Sequence, residues 1–273
     1  MNMVYFAAAA LAPILSFSDV TLSNGVRLYY MQQGPKTGRA LVLLHGYSDS
    51  SYSFSRIMPL LPQDLRVIAP DLRGHGQSDR PAGGYRIGDL ADDVIRLMDT
   101  LDVPDAVIVG HSMGSFVAQA IAERASGRVA GLVLLGSAPI AANPGMFELK
   151  KEVDGLSDPV DAAFVRAFQY GTIAQPVPEA FIDAAIANSR RMPAAIWKQI
   201  IQGMIDFRPV TPRPDIRTLV IGGDKDSVFS VSEQTALAGE YRNAQLMIVP
   251  GVGHAMHWEQ PEVFAQALMK FAK

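Results

Sequence analysis

Short apolar runs recur along the chain and alternate with segments whose apolar residues repeat at helical spacing. The runs rich in β-branched residues predict strands at Val26 to Met31, Arg39 to His45, Leu65 to Asp71, Ala106 to Gly110, Gly131 to Leu135, Thr218 to Gly222 and Gln245 to Val249. The segments between them predict helices at Ser53 to Leu61, Ile87 to Leu101, Met113 to Ala125, Ser232 to Glu240 and Pro261 to Phe271. This alternation indicates parallel βαβ units.

The middle strands are continuously apolar, as Leu41 to Leu44 and Val107 to Val109 show. A strand needs such a run when helices cover both faces of its sheet, because neither side then meets water. The pattern therefore predicts an α/β protein with a mostly parallel central sheet and helices on both faces.

The alternation stops between about Ala141 and Asp215, where no strand-like run occurs. Three prolines, Pro159, Pro178 and Pro193, mark predicted helix starts. In the third helix, an apolar stripe is formed by Trp197, Ile200, Ile201 and Met204. Such a stripe is typical of a helix packed on the sheet domain, and equally of a lid over a substrate pocket. We expect a core of residues 1–140 and 216–273 and a helical cap of residues 141–215.

Composition narrows the classes of function. The chain has 273 residues, 19% of them charged, and a formal net charge of -3. No general basic surface for nucleic acid or acidic membranes is expected, so the predicted partner is a small molecule. The chain has no cysteine, which excludes a disulfide framework, a thiolate metal site and a thiol nucleophile.

The first fifteen residues include an apolar run that resembles the core of a secretory signal. No positive charge precedes Arg27, and Pro13 would be the first mature residue after a cleavage at Ala12. The run is also too short to span a bilayer, so we expect no stable membrane insertion. We expect a cytoplasmic protein, with export as the alternative.

A candidate nucleophile lies in Gly110-His-Ser-Met-Gly114, directly after a predicted strand and directly before a predicted helix. This pattern alone is weak, and its simplest interpretation is a loop of small residues. In this context, however, it is typical of a sharp strand-to-helix turn that exposes a serine at a helix N-terminus. We therefore predict that Ser112 is a nucleophile.

A serine hydroxyl needs a base, which this type of site places beyond a later strand. Of the five histidines, only His254 and His257 follow the serine. His254 lies in a glycine-rich loop after the last predicted strand, whereas His257 stands at the entrance to the last helix and is expected to pack or cap there. We predict His254 as the base.

The imidazole in turn needs an acid that fixes its tautomer. Asp224 and Asp226 follow an apolar predicted strand and lie between the serine and the histidine in chain order. On the residues alone the two compete, and one of them is expected to be a solvated turn residue. Backbone N–H groups of Tyr47 and Met113 are the expected oxyanion donors.

These pieces together resemble the α/β-hydrolase superfamily over nearly the whole chain. The matching segments are Leu44-His-Gly-Tyr47, Asp71-Leu-Arg-Gly-His-Gly-Gln-Ser-Asp79, Gly110-His-Ser-Met-Gly114, Gly223-Asp-Lys-Asp226 and Gly253-His-Ala-Met-His-Trp-Glu259. The resemblance implies the α/β-hydrolase fold with an inserted helical lid, and it implies Asp226 rather than Asp224 as the acid. His75 matches a structural loop, so no catalytic role is assigned to it.

Within the superfamily, a serine at position 112 excludes haloalkane dehalogenases and epoxide hydrolases, which carry aspartate there. Hydrolases that split carbon–carbon bonds share the spacing of His254 and Trp258, but usually have asparagine and a second glycine where this chain has His111 and Ser115. Cofactor-free perhydrolases use the same triad and are not separated by these motifs.

The expected activity is that of a serine esterase or lactonase acting on a small, fairly apolar substrate through an acyl-enzyme. Tyr47, Trp197, Met204 and Trp258 are candidate substrate contacts. No metal or organic cofactor is expected, because no ligand cluster accompanies His254 and His257. The alternatives are a carbon–carbon bond hydrolase, a perhydrolase, an acyltransferase, and a ligand-binding or signalling protein of this fold with little turnover.

Overall fold

An eight-stranded sheet lies at the centre of the computed structural model, which describes residues 15–211 and 213–273. Its strands, in chain order, are β1 (Ser16–Thr21), β2 (Arg27–Gln33), β3 (Ala40–Leu44), β4 (Arg66–Pro70), β5 (Ala106–His111), β6 (Val129–Leu135), β7 (Thr218–Gly223) and β8 (Ala244–Val249). They are arranged in the order β1-β2-β4-β3-β5-β6-β7-β8. The β1–β2 and β2–β4 pairs are antiparallel, and every other pair is parallel. The predicted α/β class with a mostly parallel sheet is confirmed.

Helices pack on both faces of this sheet. In chain order they are α1 (Ile87–Thr100), α2 (Met113–Arg124), α3 (Pro144–Asp154), α4 (Ala162–Tyr170), α5 (Glu179–Ser189), α6 (Ala194–Asp206), α7 (Val231–Glu240), α8 (Met256–Glu259) and α9 (Pro261–Ala272). One apolar core contains side chains of α1, α2, α7 and the α3–α6 segment, and the other contains side chains of α9. The middle strands β3 and β5 are buried along their whole length, as their sequence predicts.

Three parts of the sequence-based prediction differ from the structure. The first is β1, a polar strand whose residues are exposed or half-buried. It pairs with β2 at the edge of the sheet, where its side chains are not buried, so it has no apolar pattern from which it could be predicted. The second is the helix predicted for Ser53 to Leu61, which is replaced by short 3-10 helices at Ser51–Phe54 and Met58–Leu60. Pro59, in the middle of the predicted helix, lacks the N–H group that a continuous α-helix would need there.

The third difference concerns the segment between β6 and β7, whose described residues form helices and no strand. Helix α3 was not predicted; its N-cap Asn143 accepts a hydrogen bond from the Met146 N–H at 2.9 Å. The helix expected at Pro159 begins only after Asp161, whose side chain caps it. Pro178 and Pro193 stand at the N-cap rather than at the first helical position. The predicted N-terminal apolar run, apart from Leu15, lies outside the described residues.

Candidate active site

Ser112 lies at the sharp turn between β5 and α2. Its backbone has φ 51° and ψ -118°, in the region that non-glycine residues seldom adopt. The Ser112 N–H donates to the carbonyl oxygen of Leu135 at 2.9 Å, which ties the turn to the neighbouring strand β6. The strained residue therefore stands at the carboxyl edge of the sheet and at the N-terminus of a helix.

Two glycines make this turn possible. A Cβ on Gly110 would overlap the backbone of Gly114, and a Cβ on Gly114 would overlap the carbonyl group of Leu44. Helix α2 can therefore approach β5 and β3 only because neither position carries a side chain.

His254 and Asp226 form a buried pair beside this turn. The His254 Nδ1 lies 2.9 Å from Oδ2 and 3.1 Å from Oδ1 of Asp226. Burial alone would raise the pKa of Asp226, but the adjacent imidazole and the N–H groups of Val228 and Phe229 outweigh it and hold that pKa below its ordinary value. Asp226 is therefore ionised at neutral pH, and it favours the tautomer in which Nδ1 carries the proton.

The loop that carries His254 is held on both sides. The Gly253 N–H donates to the Glu259 carboxylate at 3.0 Å, and the N–H of Gln175 donates to the same group at 2.8 Å. On the other side, a Cβ on Gly136 would come within 2.9 Å of the His254 Nδ1, so this position leaves just enough room for the ring. Asp224 points elsewhere, since its Oδ1 accepts from the Gly251 N–H at 2.6 Å. The structure thus brings Asp226, and not Asp224, to the imidazole.

Ser112 and His254 line one cavity. In the described residues no hydrogen bond joins the Ser112 hydroxyl to the imidazole. Such bonds are often long in ligand-free sites and shorten when substrate binds.

The backbone N–H groups of Tyr47 and Met113 lie in the turns that follow β3 and β5. Within residues 15–211 and 213–273, neither group donates to a backbone or side-chain acceptor. Both are therefore available to bind an oxygen atom at the N-terminus of α2.

The cavity over Ser112 is about 40 Å³ in volume. Its lining includes three of the predicted substrate contacts, namely Tyr47, Met204 and Trp258. Trp197 is fully buried behind this lining: its ring packs edge-on against that of Tyr47 at 4.9 Å, and its carbonyl oxygen accepts a hydrogen bond from the Tyr47 hydroxyl at 2.7 Å. Trp197 therefore supports the wall of the cavity and does not form it.

Four polar residues of the cavity lining, Asp49, His111, Gln169 and Thr172, were not identified as site residues from the sequence, and two of them bond to each other. Asp49 is 6% exposed, and its Oδ1 accepts from the Gln169 amide at 3.0 Å. The carboxylate of Asp49, four residues after His45 in the turn beyond β3, is a signal that sequence reasoning overlooked. Gln169 lies on α4, and nothing in its surrounding sequence relates it to a loop 120 residues away.

His257 does not reach the cavity lining. Its Nε2 lies 2.9 Å from the Ser53 hydroxyl, and burial lowers the pKa of the imidazole to about 3. His75 is likewise buried, with its Nδ1 3.0 Å from the carbonyl oxygen of Arg73. Both placements agree with the packing roles expected for these histidines.

The described part of the chain contains no group of three or more acidic or histidine side chains arranged to hold a metal ion. None of its helices is both long enough and apolar enough to cross a membrane.

Comparison with known proteins places this geometry in a family. The model of the alpha/beta hydrolase family matches residues 41–267. A non-heme chloroperoxidase of Streptomyces lividans is 31% identical over 93% of this chain and 99% of its own, and 3-oxoadipate enol-lactonase 2 of Acinetobacter baylyi is 26% identical over 94% and 97%. The solved structure of an esterase from Exiguobacterium antarcticum is similar with a TM-score of 0.84 and 21% identity, covering 93% of this chain and 98% of that one. The chain therefore belongs to the α/β-hydrolase family and is a hydrolase enzyme.

Proposed function

We propose that this chain is a serine hydrolase that cleaves a carboxylic ester or lactone of a small, fairly apolar substrate. The observation that carries the proposal is the buried pair of His254 and the ionised Asp226 at the same cavity as Ser112, whose backbone has a positive φ. An imidazole held in one tautomer beside a serine at a helix N-terminus has the parts that acyl transfer needs.

In the proposed reaction, the Ser112 oxygen attacks the substrate carbonyl carbon while His254 Nε2 takes the hydroxyl proton. The Tyr47 and Met113 N–H groups bind the resulting oxyanion. His254 then gives its proton to the leaving alcohol oxygen as the carbon–oxygen bond breaks, which leaves an acyl-enzyme. A water molecule attacks this ester, again through His254, and the acid is released with Ser112 restored.

The helices between β6 and β7 support the proposed role of residues 141–215 as a cap. Met146 and Leu149 of α3, Phe168 of α4 and Met204 of α6 give the cavity an apolar roof. A cavity of about 40 Å³ holds roughly three water molecules, so a substrate must extend beyond it. An adjoining hollow of about 220 Å³ shares Met146, Leu149, Phe168, Thr172 and Val228 with the cavity, and we propose it as the entrance.

A panel of p-nitrophenyl esters from acetate to octanoate, with γ- and δ-lactones, tests the proposal. We expect saturable hydrolysis of short esters, and its loss by at least about 10⁴-fold in Ser112→Ala. Ser157→Ala, at an exposed position, is the matched control and should keep full activity. A fluorophosphonate should add its mass to the peptide of Ser112 in the native chain alone. Unchanged turnover in Ser112→Ala would refute the nucleophile, and saturable binding without any turnover would favour a ligand-binding protein.

The similarity to a bifunctional esterase/perhydrolase of Acinetobacter calcoaceticus, 27% identical over 93% of this chain and 99% of its own, favours perhydrolysis as a second candidate activity. Hydrogen peroxide would then replace water in the attack on the acyl-enzyme and release a peracid. With acetate and hydrogen peroxide, peracid formation measured by bromide oxidation should depend on Ser112. Its absence at a peroxide concentration that does not inhibit ester hydrolysis would exclude this activity.

A further inference from the structure

One carboxyl group in the cavity has no part in the proposed reaction. Asp49 lines the same cavity as Ser112, and its Oδ1 is held by the Gln169 amide. That amide also donates to the Ser189 hydroxyl of α5 at 2.7 Å, so two cap helices hold the carboxyl group in place. The Ser53 side chain also hydrogen-bonds to this carboxyl group, and since each carboxylate oxygen accepts up to two hydrogen bonds, Asp49 keeps the capacity for a further partner.

His111, the residue before the proposed nucleophile, presents a second unused polar atom. Its Nε2 lies 3.2 Å from the carbonyl oxygen of His254. A carbonyl oxygen only accepts, so Nε2 must carry the proton and Nδ1 of the neutral ring is a bare acceptor. Burial is the largest cause that lowers the pKa of His111 well below its ordinary value and keeps the ring neutral. Among the described residues, Nδ1 is buried without a hydrogen-bond partner.

These two atoms border the same small volume next to Gly46. A Cβ on Gly46 would lie 2.9 Å from the His111 Nδ1 and 3.2 Å from the Asp49 Oδ2. All three residues line the cavity of Ser112. None of them lines the entrance hollow, which is bounded by α3, α4 and the turn after β7. The polar atoms therefore lie at the inner end of the cavity, away from its apolar mouth.

We propose that Asp49 and His111 form a polar subsite that binds a hydroxyl group of the substrate, so that the enzyme selects hydroxyl-bearing esters or lactones. A hydroxyl donates to the bare imidazole nitrogen or to a carboxylate, and it also accepts from a protonated carboxyl group. Burial raises the pKa of Asp49 to about 7, against the opposing effects of Gln169, His254 and Ser53, so both forms of the carboxyl group occur near neutral pH. An unfilled acceptor pair in a closed cavity disfavours a substrate that lacks the hydroxyl.

This inference rests on the proposed function and is tested with matched substrates. The first pair is p-nitrophenyl 3-hydroxybutyrate and p-nitrophenyl butyrate, and the second is p-nitrophenyl 6-hydroxyhexanoate and p-nitrophenyl hexanoate. The members of each pair differ by one hydroxyl, which lies at a different distance from the ester carbonyl in the two pairs. The quantity measured is the ratio of kcat/KM for each hydroxylated ester to that of its parent. This ratio does not depend on the fraction of folded protein, so a destabilised variant still gives an answer.

We expect a ratio well above one for at least one pair in the native enzyme. At pH 8.5, where Asp49 is mostly ionised and can only accept, Asp49→Asn should reduce that ratio about tenfold, the effect of one hydrogen bond to a charged or buried group. The asparagine is isosteric and keeps an acceptor for Gln169, while its new amide places a donor where the subsite needs an acceptor. Asp105→Asn, an exposed aspartate remote from the cavity, is the control and should leave the ratio unchanged.

The outcomes separate this inference from the proposed function. Normal turnover of the parent esters with ratios near one, or ratios that Asp49→Asn leaves unchanged, would overturn the subsite alone. An equal loss for both members of each pair would assign Asp49 to structural support and also overturn it. No turnover of any ester by the native chain would overturn the proposed function and the subsite together.

Discussion

At the scale of single residues, the choice between two nearby aspartates is the sharpest feature of the site. Asp226 accepts hydrogen bonds from His254 and from two backbone N–H groups, whereas Asp224 accepts from Gly251 on the far side of the turn. Two carboxylates separated by one residue thus have different partners, because successive side chains of this turn point in different directions.

This difference gives a prediction. Asp226→Asn should lower kcat for ester hydrolysis by about 10³- to 10⁴-fold, because the amide no longer fixes the productive tautomer of His254. Asp224→Asn is the matched control and should stay within a few-fold of the native rate, since an amide oxygen still accepts from Gly251. Steady-state kinetics with one p-nitrophenyl ester measures both. Comparable losses in the two variants would contradict the assignment of the acid.

The residues that sequence could identify are those fixed by local geometry. The turn at Ser112 requires Gly110 and Gly114, and this spacing can be recognised in the sequence. Asp49 and Gln169 come together only when α4 packs over the turn after β3. No local sequence pattern predicts this contact. The polar subsite was therefore missed, although the proposed nucleophile and its pair could be named.

At the scale of elements, α6 lies directly against the loop that precedes α1. Gly203 of α6 makes this approach possible, because a Cβ there would overlap the carbonyl oxygen of Tyr85. The next residue, Met204, lines the cavity. The distance between α6 and the loop before α1 therefore depends on the absence of a side chain at Gly203.

We predict that Gly203→Ala lowers the free energy of unfolding by about 1 to 3 kcal/mol, because the methyl group forces α6 outward. It should also raise KM for short esters, since Met204 moves with the helix. Gly239→Ala on α7 is the control: nothing lies within 4 Å of its Cβ, and alanine should stabilise that helix by up to about 1 kcal/mol. Urea denaturation and ester kinetics measure both effects. If Gly203→Ala changed neither the free energy of unfolding nor KM, the loop before α1 would have moved to accommodate the methyl group, which would contradict the prediction.

Elements whose own pattern decides their structure were predicted well, and those decided by neighbours were not. Strands β3 and β5 are apolar throughout and lie in the middle of the sheet. Strand β1 exists because its backbone pairs with β2, while its side chains stay largely in solvent. Phe54, Ile57, Met58 and Leu61 are buried in the observed 3-10 turns, and their spacing is also compatible with an α-helix, so the pattern did not distinguish the two.

At the scale of the whole molecule, four buried histidines make the fold sensitive to acid. Burial is the main cause that lowers the pKa of His45 to about 4, of His75 and His257 to about 3, and of His111 well below its ordinary value. In the unfolded chain each imidazole titrates near 6.5. The stability that depends on their neutral forms is fully present above pH 6.5 and is lost as pH falls.

We predict a steep loss of the free energy of unfolding between pH 6.5 and pH 4.5, about 1.4 kcal/mol per pH unit for each such histidine. Asp49 opposes this trend, because its raised pKa makes the folded state bind a proton in the same range. Asp49→Asn removes the opposition and should lose stability more steeply than the native chain. Urea denaturation at several pH values measures the slopes. A flat native profile across this range would contradict the prediction.

The hydrogen bond between the Tyr47 hydroxyl and the Trp197 carbonyl oxygen connects a turn of the sheet domain to helix α6. The backbone N–H of Tyr47 is a proposed oxyanion donor, and its phenol hydroxyl is bonded to α6. If α6 moved away from the sheet domain, this hydrogen bond would break and the Tyr47 backbone N–H would lose its fixed position. The proposed oxyanion donor would then be in place only while α6 covers the cavity. A molecule that entered the cavity without being covered by α6 would therefore not react.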